Sequence, residues 1–145
     1  MKKLILLAVA VILIYGLVHE NGISIPINIP LSSQSSDSTL QKAYKNRQSD
    51  LQVQGKGVVI KLLRDDLKGS RHQKFILKLN TGQTLLISHN IDLAPRIDRL
   101  RTGDTVEFYG EYEWNSKGGV IHWTHHDPDG RHIGGWLKHK DKTYQ

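Results

Sequence analysis

The stretch His72-Gln73-Lys74-Phe75-Ile76-Leu77-Lys78-Leu79-Asn80-Thr81-Gly82-Gln83-Thr84-Leu85-Leu86-Ile87-Ser88-His89-Asn90-Ile91 carries a partial alternation of apolar and polar residues. It reads as two strands, His72–Leu79 and Thr84–Ile91, around a hairpin turn at Asn80-Thr81-Gly82-Gln83. With Thr81-Gly82 as a two-residue loop, Leu79 pairs with Thr84, Leu77 with Leu86 and Phe75 with Ser88. Phe75, Leu77, Leu79 and Leu86 then share a core face. Lys74, Ile76, Lys78, Leu85, Ile87 and His89 take the other, with His72 diagonal to His89 at about 7–8 Å. A three-residue loop with Gly82 left-handed breaks this register, because a one-residue slip turns over every side chain of a strand.

Working outward, Val53–Leu63 reads as a first strand whose Gly55 and Gly57 allow strong bending. Asp65–Ser70 is a loop, and Asp92–Arg101, with Pro95, is a loop holding one helical turn. Thr105–Trp114 is a fourth strand after the turn Thr102-Gly103-Asp104, and Val120–His126 a fifth after the turn Asn115–Gly119. Trp136–Lys140 adds a short edge strand. A long bent strand, a hairpin, an excursion and a second hairpin predict a mainly β fold, a small five-stranded OB-like barrel over residues 51–145. An SH3-like barrel is the alternative.

Upstream of the barrel, Met1-Lys2-Lys3 followed by the uncharged run Leu4–Val18 reads as a signal peptide or N-terminal membrane anchor over residues 1–20. The run is shorter than the about 20 residues of a spanning helix, and no clean small-x-small cleavage pair lies between Tyr15 and Gly22. Both forms place the rest of the chain outside the cytoplasm, in the periplasm or facing it. Residues 21–50 read as a flexible linker: Pro26 and Pro30 interrupt an extended segment, and Leu31–Ser38 is Ser/Gln/Asp-rich. Thr39–Asp50 is read as a short helix capped by Asp37 or Ser38, with Leu40, Ala43, Tyr44 and Leu51 near one stripe.

The formal charge is +6 over 145 residues. From Leu51 to Gln145, 15 Lys and Arg face 11 Asp and Glu, a net +4, too mild by itself for a nucleic-acid surface. There is no cysteine, so the barrel stands without disulfides and any metal site must use His, Asp or Glu. No serine or cysteine nucleophile motif and no glycine-rich phosphate loop is present.

Chemistry concentrates in Gly118–His132, which holds four of the eight histidines and one of the three tryptophans. On a strand, His122, Thr124 and His126 point one way, Trp123 and His125 the other. His122 and His126 are then about 13 Å apart, too far for one zinc. Asp127-Pro128-Asp129-Gly130 has the preferences of a type I turn that brings Arg131-His132 back beside His125-His126. That predicts a metal set of His125, His126, Asp127 and His132 around a divalent transition metal such as zinc. The plain alternative is histidines in ordinary hydrogen bonds at the barrel rim, with Trp123 on the core; proton transfer or ligand stacking is a third. On the fourth strand Val106, Phe108, Gly110, Tyr112 and Trp114 form the core face. Glu107, Glu111 and Glu113 lie on the other, either in solvent or facing the imidazoles of the fifth strand. Asp65-Asp66 with Arg71-His72 is a weaker cation candidate.

Several blocks together resemble a known family: Asp66, Gly69, Arg71-His72-Gln73, His89 to Arg96, Gly103-Asp104, Tyr109 to Asn115 and Gly118 to Pro128, with His122-Trp123-Thr124-His125 at the centre. The family is one of small uncharacterised bacterial exported proteins with an HWTH motif. The resemblance spans about Val53 to Gln145 and implies an envelope address but no activity. A more distant similarity, through Asp65-Asp66 and Asn90 to Pro95, is to OB-fold nucleases of the staphylococcal type, whose catalytic Arg and Glu spacing is not matched.

These readings converge on an exported envelope protein, an OB-like binding module with a His-rich rim. Its ligand-binding candidates are His72, His89, Glu111, Glu113, His122, Trp123 and His125. The rivals are a metal-dependent hydrolase acting on phosphodiesters and a structural envelope protein. The partners they imply are a ligand or an envelope protein, nucleic acid, and the membrane if the leader stays uncleaved.

Overall fold

The computed structural model describes residues 31–145. The leader and the proline-interrupted segment before Leu31 lie outside the described residues. Helix α1 spans Leu31–Asn46, followed by β1 (Leu51–Leu62), β2 (His72–Lys78), β3 (Thr84–Asn90), β4 (Thr105–Glu113), β5 (Val120–His122), β6 (Trp136–His139) and β7 (Lys142–Tyr144).

Five of these strands close a ring. β1 pairs antiparallel with β2 and β2 with β3; β3 runs parallel to β5; β5 pairs antiparallel with β4, which returns to β1. The ring order 1-2-3-5-4-1 is that of the OB barrel, not of the SH3-like alternative. β1 can serve two neighbours because it is long and bends: Leu51–Val58 lies on β4, and its second half lies on β2 beyond a bulge between Val59 and Lys61.

The hairpin takes the three-residue loop. Gly82 is left-handed at φ 85°, its N–H donates to the Leu79 carbonyl at 3.0 Å, and Leu79 N–H donates to the Gln83 carbonyl at 2.9 Å. Lys78 therefore faces Thr84, Leu77 faces Leu85 and Phe75 faces Ile87. This corrects the two-residue register by one position. Leu85, Ile87 and His89 turn into the barrel with Phe75, Leu77 and Leu79, while Leu86 turns outward. His72 and His89 consequently lie on opposite faces.

The β4 alternation holds, with Val106, Phe108 and Tyr112 fully buried and Glu107, Tyr109, Glu111 and Glu113 on the outer face. Connection 91–104 buries Ala94 and packs Ile97 and Leu100 into the core. Buried Gln73 holds it there: its side-chain amide donates to the Ile97 carbonyl and accepts from the Ile97 N–H, each at 2.9 Å.

Helix α1 starts at Leu31, earlier than the Ser-rich composition predicts, and expected cap Asp37 lies buried in its body. Leu40 and Ala43 pack into the core, and Trp114 Nε1–H donates to the Tyr44 carbonyl at 3.1 Å. Tertiary contacts of this kind carry a segment whose propensity is poor. The helix ends at Arg47, left-handed at φ 52°.

Two features at the carboxyl end depart from expectation. β5 stops at His122, because Trp123 turns left-handed at φ 54°. A further strand, β7, pairs with β6 through a turn at Lys140-Asp141, both left-handed at φ 48° and 64°. β6 lies on the same edge of β4 as β5, so residues 123–135 leave that edge and return to it. The return is tight: a Cβ on Gly135 would sit 2.2 Å from the carbonyl oxygens of both Trp123 and Tyr109.

Gly135→Ala is expected to cost about 2–3 kcal/mol, since backbone rather than a side chain must yield. Gly82→Ala meets no atom within 4 Å and is expected to cost only its left-handed φ, about 1 kcal/mol. Urea unfolding midpoints of the two variants check the order.

Candidate functional site

The outer face of β4 meets β5 with Glu111 opposite His122 and Glu113 opposite Val120. His122 Nε2 lies 3.3 Å from Glu111 Oε1 and 3.7 Å from Glu113 Oε1. Of the two environments open to these carboxylates, the imidazole-facing one is found for Glu111 and Glu113. Glu107 stands further along, opposite Lys138.

The excursion adds a second imidazole. Asp127 organises it: Oδ1 accepts from Asp129 N–H at 3.1 Å, and Oδ2 accepts from Arg131 N–H at 2.8 Å and His132 N–H at 2.7 Å. Gly130 N–H donates to the Asp127 carbonyl at 3.1 Å, closing the turn that the sequence predicts. The amide bond from His132, opposed by burial and joined by those from Asp129 and Arg131, holds the Asp127 carboxyl below its ordinary range.

The turn delivers His132 to Glu111, where Nε2–H donates to Oε2 at 2.6 Å while Nδ1–H donates to the Ile133 carbonyl at 2.7 Å. Both ring nitrogens face acceptors, the arrangement of an imidazolium. Burial pulls His132 down, but the Glu111 hydrogen bond, the Ile133 carbonyl and the charges of Glu111 and Asp127 outweigh it and raise its pKa. The imidazole also stacks on Trp123, ring centroids 3.9 Å apart at 8°. The left-handed backbone at Trp123 thus both ends β5 and sets the ring on which His132 rests.

The site therefore unites Glu111, Glu113, His122, Trp123 and His132, but not the rest of the expected set. His89 lies inside the barrel: Nε2–H donates to the Pro95 carbonyl at 3.1 Å and Nδ1 accepts from the Thr124 hydroxyl at 2.8 Å. Burial lowers its pKa to about 4, so it is neutral at pH 7. His72 points outward, its Nδ1–H on the Ser70 carbonyl at 2.7 Å.

The metal set His125, His126, Asp127 and His132 does not assemble. His125 is buried beside Trp123 and bonds the His126 carbonyl, and His126 is exposed. Both Asp127 oxygens are occupied by amides, and His132 turns to Glu111. The turn was legible, but not which groups its amides would consume. Among the described residues, one group of three carries donor atoms all within 4.8 Å of one another: Glu111, Glu113 and His122.

The Asp65-Asp66 loop is internally neutralised. Arg96 pairs with Asp65 at 2.8 Å and Lys74 with Asp66 at 2.9 Å, while Arg71 pairs with Asp92 at 2.6 Å. Sequence reading missed the pairing of buried His139 with half-buried Asp104, Nε2 to Oδ2 at 2.8 Å, beside an open cleft of about 270 Å³. No spacing signal announces it, since the partners lie on different hairpins. Lys138, Lys140, Glu107 and Asp141 line the cleft with both signs of charge.

A family model described as "Protein of unknown function (DUF3465)" matches residues 23–145. No curated protein matches the chain.

His89 supplies a pH dependence. Its folded pKa of about 4 lies below the ordinary 6.5. Between these values the unfolded chain binds a proton that the folded chain does not. Stability from this group is therefore complete above pH 6.5 and falls as pH drops toward 4, by up to about 3 kcal/mol. Urea unfolding at pH 7 and 4.5 should show a loss roughly 2 kcal/mol smaller in His89→Gln than in the parent; equal losses would contradict this assignment.

Proposed function

The chain belongs to the DUF3465 family, and we propose that it is an exported bacterial OB-type binding module whose ligand site is the outer wall of β4 and β5 with the 123–135 excursion. One observation carries the reading. Glu111 and Glu113 stand on an accessible wall and, among the described residues, pair with imidazoles and with no lysine or arginine. Asp104 also meets an imidazole, His139, but takes the Arg101 amide and Lys140 as well. Asp65, Asp66, Asp92, Asp127 and Asp129 end on a lysine or arginine of the chain or on a backbone amide. Acid and imidazole groups left facing each other beside two aromatic pairs, Trp123 with His132 and Tyr109 with Trp136, form a polar patch with stacking surfaces.

The export part of the reading rests on Lys2-Lys3 and the Leu4–Val18 run. Among the described residues no helix is long and apolar enough to cross a membrane. A fusion of residues 1–50 to a reporter active only outside the cytoplasm is expected to be active.

The binding part is tested with the full ¹⁵N-labelled chain, titrated separately with glycan, lipid, nucleic-acid and protein pools from an envelope extract. Exchange broadening is expected at Tyr109–Glu113 and Val120–Gly135, and is expected to vanish in Glu111→Gln. Broadening confined to the outer face of β1 and β2, or persisting in the variant, would overturn the site.

A further inference from the structure

We propose that Glu111, Glu113 and His122 bind one divalent first-row transition metal ion. The inference rests on the reading of the β4–β5 wall as the binding surface and names a ligand for it.

The spacing comes first. Donor atoms around a tetrahedral zinc with bonds of about 2.1 Å lie about 3.4 Å apart. His122 Nε2 is already 3.3 Å from Glu111 Oε1 and 3.7 Å from Glu113 Oε1. All three donors are mutually within 4.8 Å, close to that spacing.

The second observation is an orphan. His122 Nε2 is shielded from solvent and has no hydrogen-bond partner. It faces two carboxylate oxygens without the alignment of a hydrogen bond. A buried polar nitrogen left unpaired carries a desolvation cost. A cation between nitrogen and oxygens satisfies all three groups and removes the repulsion between the two carboxylates.

The third is orientation. His132 holds Glu111 Oε2 at 2.6 Å and is itself fixed by Trp123 and by the Ile133 carbonyl. Glu111 is thereby turned with Oε1 toward His122. Holding the outer oxygen of a ligating carboxylate is the usual supporting arrangement at metal sites.

The donor set selects the ion. One imidazole nitrogen with two carboxylate oxygens suits zinc and its first-row neighbours. Calcium takes six to eight oxygen ligands and magnesium a near-octahedral oxygen shell, and neither gains from the imidazole. Three protein donors leave a coordination position for water or for a donor atom of a bound ligand.

The test uses the untagged full chain in detergent, stripped with chelator and titrated with zinc chloride alone by calorimetry, with metal content by mass spectrometry. One equivalent is expected. Glu113→Gln and His122→Gln should each weaken binding at least tenfold, and His72→Ala, an outward imidazole away from this wall, should leave it unchanged. The metal-free melting temperatures of all three are compared first, so that a folding defect is not scored as lost ligation. No saturable binding, or binding that survives in both Glu113→Gln and His122→Gln, would overturn the site. So would binding lost in a folded His72→Ala. If zinc fails while an envelope pool still broadens the same wall, the binding surface stands and the metal is removed. If both fail, both readings are removed.

Discussion

Backbone pairing along one edge of β4 sets where β5, β6 and the excursion between them can lie. β1 occupies the opposite edge from Thr105 to Tyr112. The free edge takes β5 at Glu111–Glu113 and β6 at Glu107–Tyr109. Only Gly110 separates the two, so the chain between His122 and Trp136 has to leave and re-enter across a single residue. A Cβ on Gly110 would sit 2.4 Å from the His122 carbonyl oxygen, which is why backbone can cross there. The parallel contact of β3 with β5 closes the ring and fixes β5 in place. Without that closure the excursion would have no fixed base, and His132 would not be returned to the strand it left.

The excursion is ordered mainly by its own groups. Asp127 gathers three amides, and Trp123 offers its face to His132. The charge arrangement that results differs from that around Asp65, Asp66 and Asp92. Asp65, Asp66 and Asp92 are each met by arginine or lysine, which supply fixed positive charge. Glu111 and Glu113 are both met by His122, whose imidazole can also present a lone pair. A wall of this kind keeps coordinating capacity that a guanidinium would have used up. Inside the barrel the reverse choice is made: His89 is kept neutral by burial and used as a hydrogen-bond bridge between Thr124 and connection 91–104.

Much of the architecture could be read from period-two patterning, because alternation is local and each strand records which residues face inward. The five barrel strands and the β4 core face were legible in this way, and the Asp127 turn from its Asp-Pro-Asp-Gly residues. The hairpin register was not: Asn80-Thr81-Gly82-Gln83 admits a two- or a three-residue loop, and the choice rests on whether Leu85 and Ile87 or Leu86 and Ser88 fill the barrel. The family match from residue 23 likewise reaches upstream of the barrel, where composition alone suggests linker and the structure places α1 from Leu31. Leu40 and Ala43 find their partners only on the folded barrel.

For the site, residue order is enough to concentrate imidazoles, carboxylates and a tryptophan near one turn and, with no cysteine, to leave any metal to them. Tertiary structure alone decided which of them meet. Glu111, Glu113, His122 and His132 come together because β5 pairs with β4 in one register and because Asp127 spends both oxygens on backbone amides. Those are non-local pairings and hydrogen bonds. They depend on ring closure and on a left-handed Trp123, and no residue spacing along the chain encodes either.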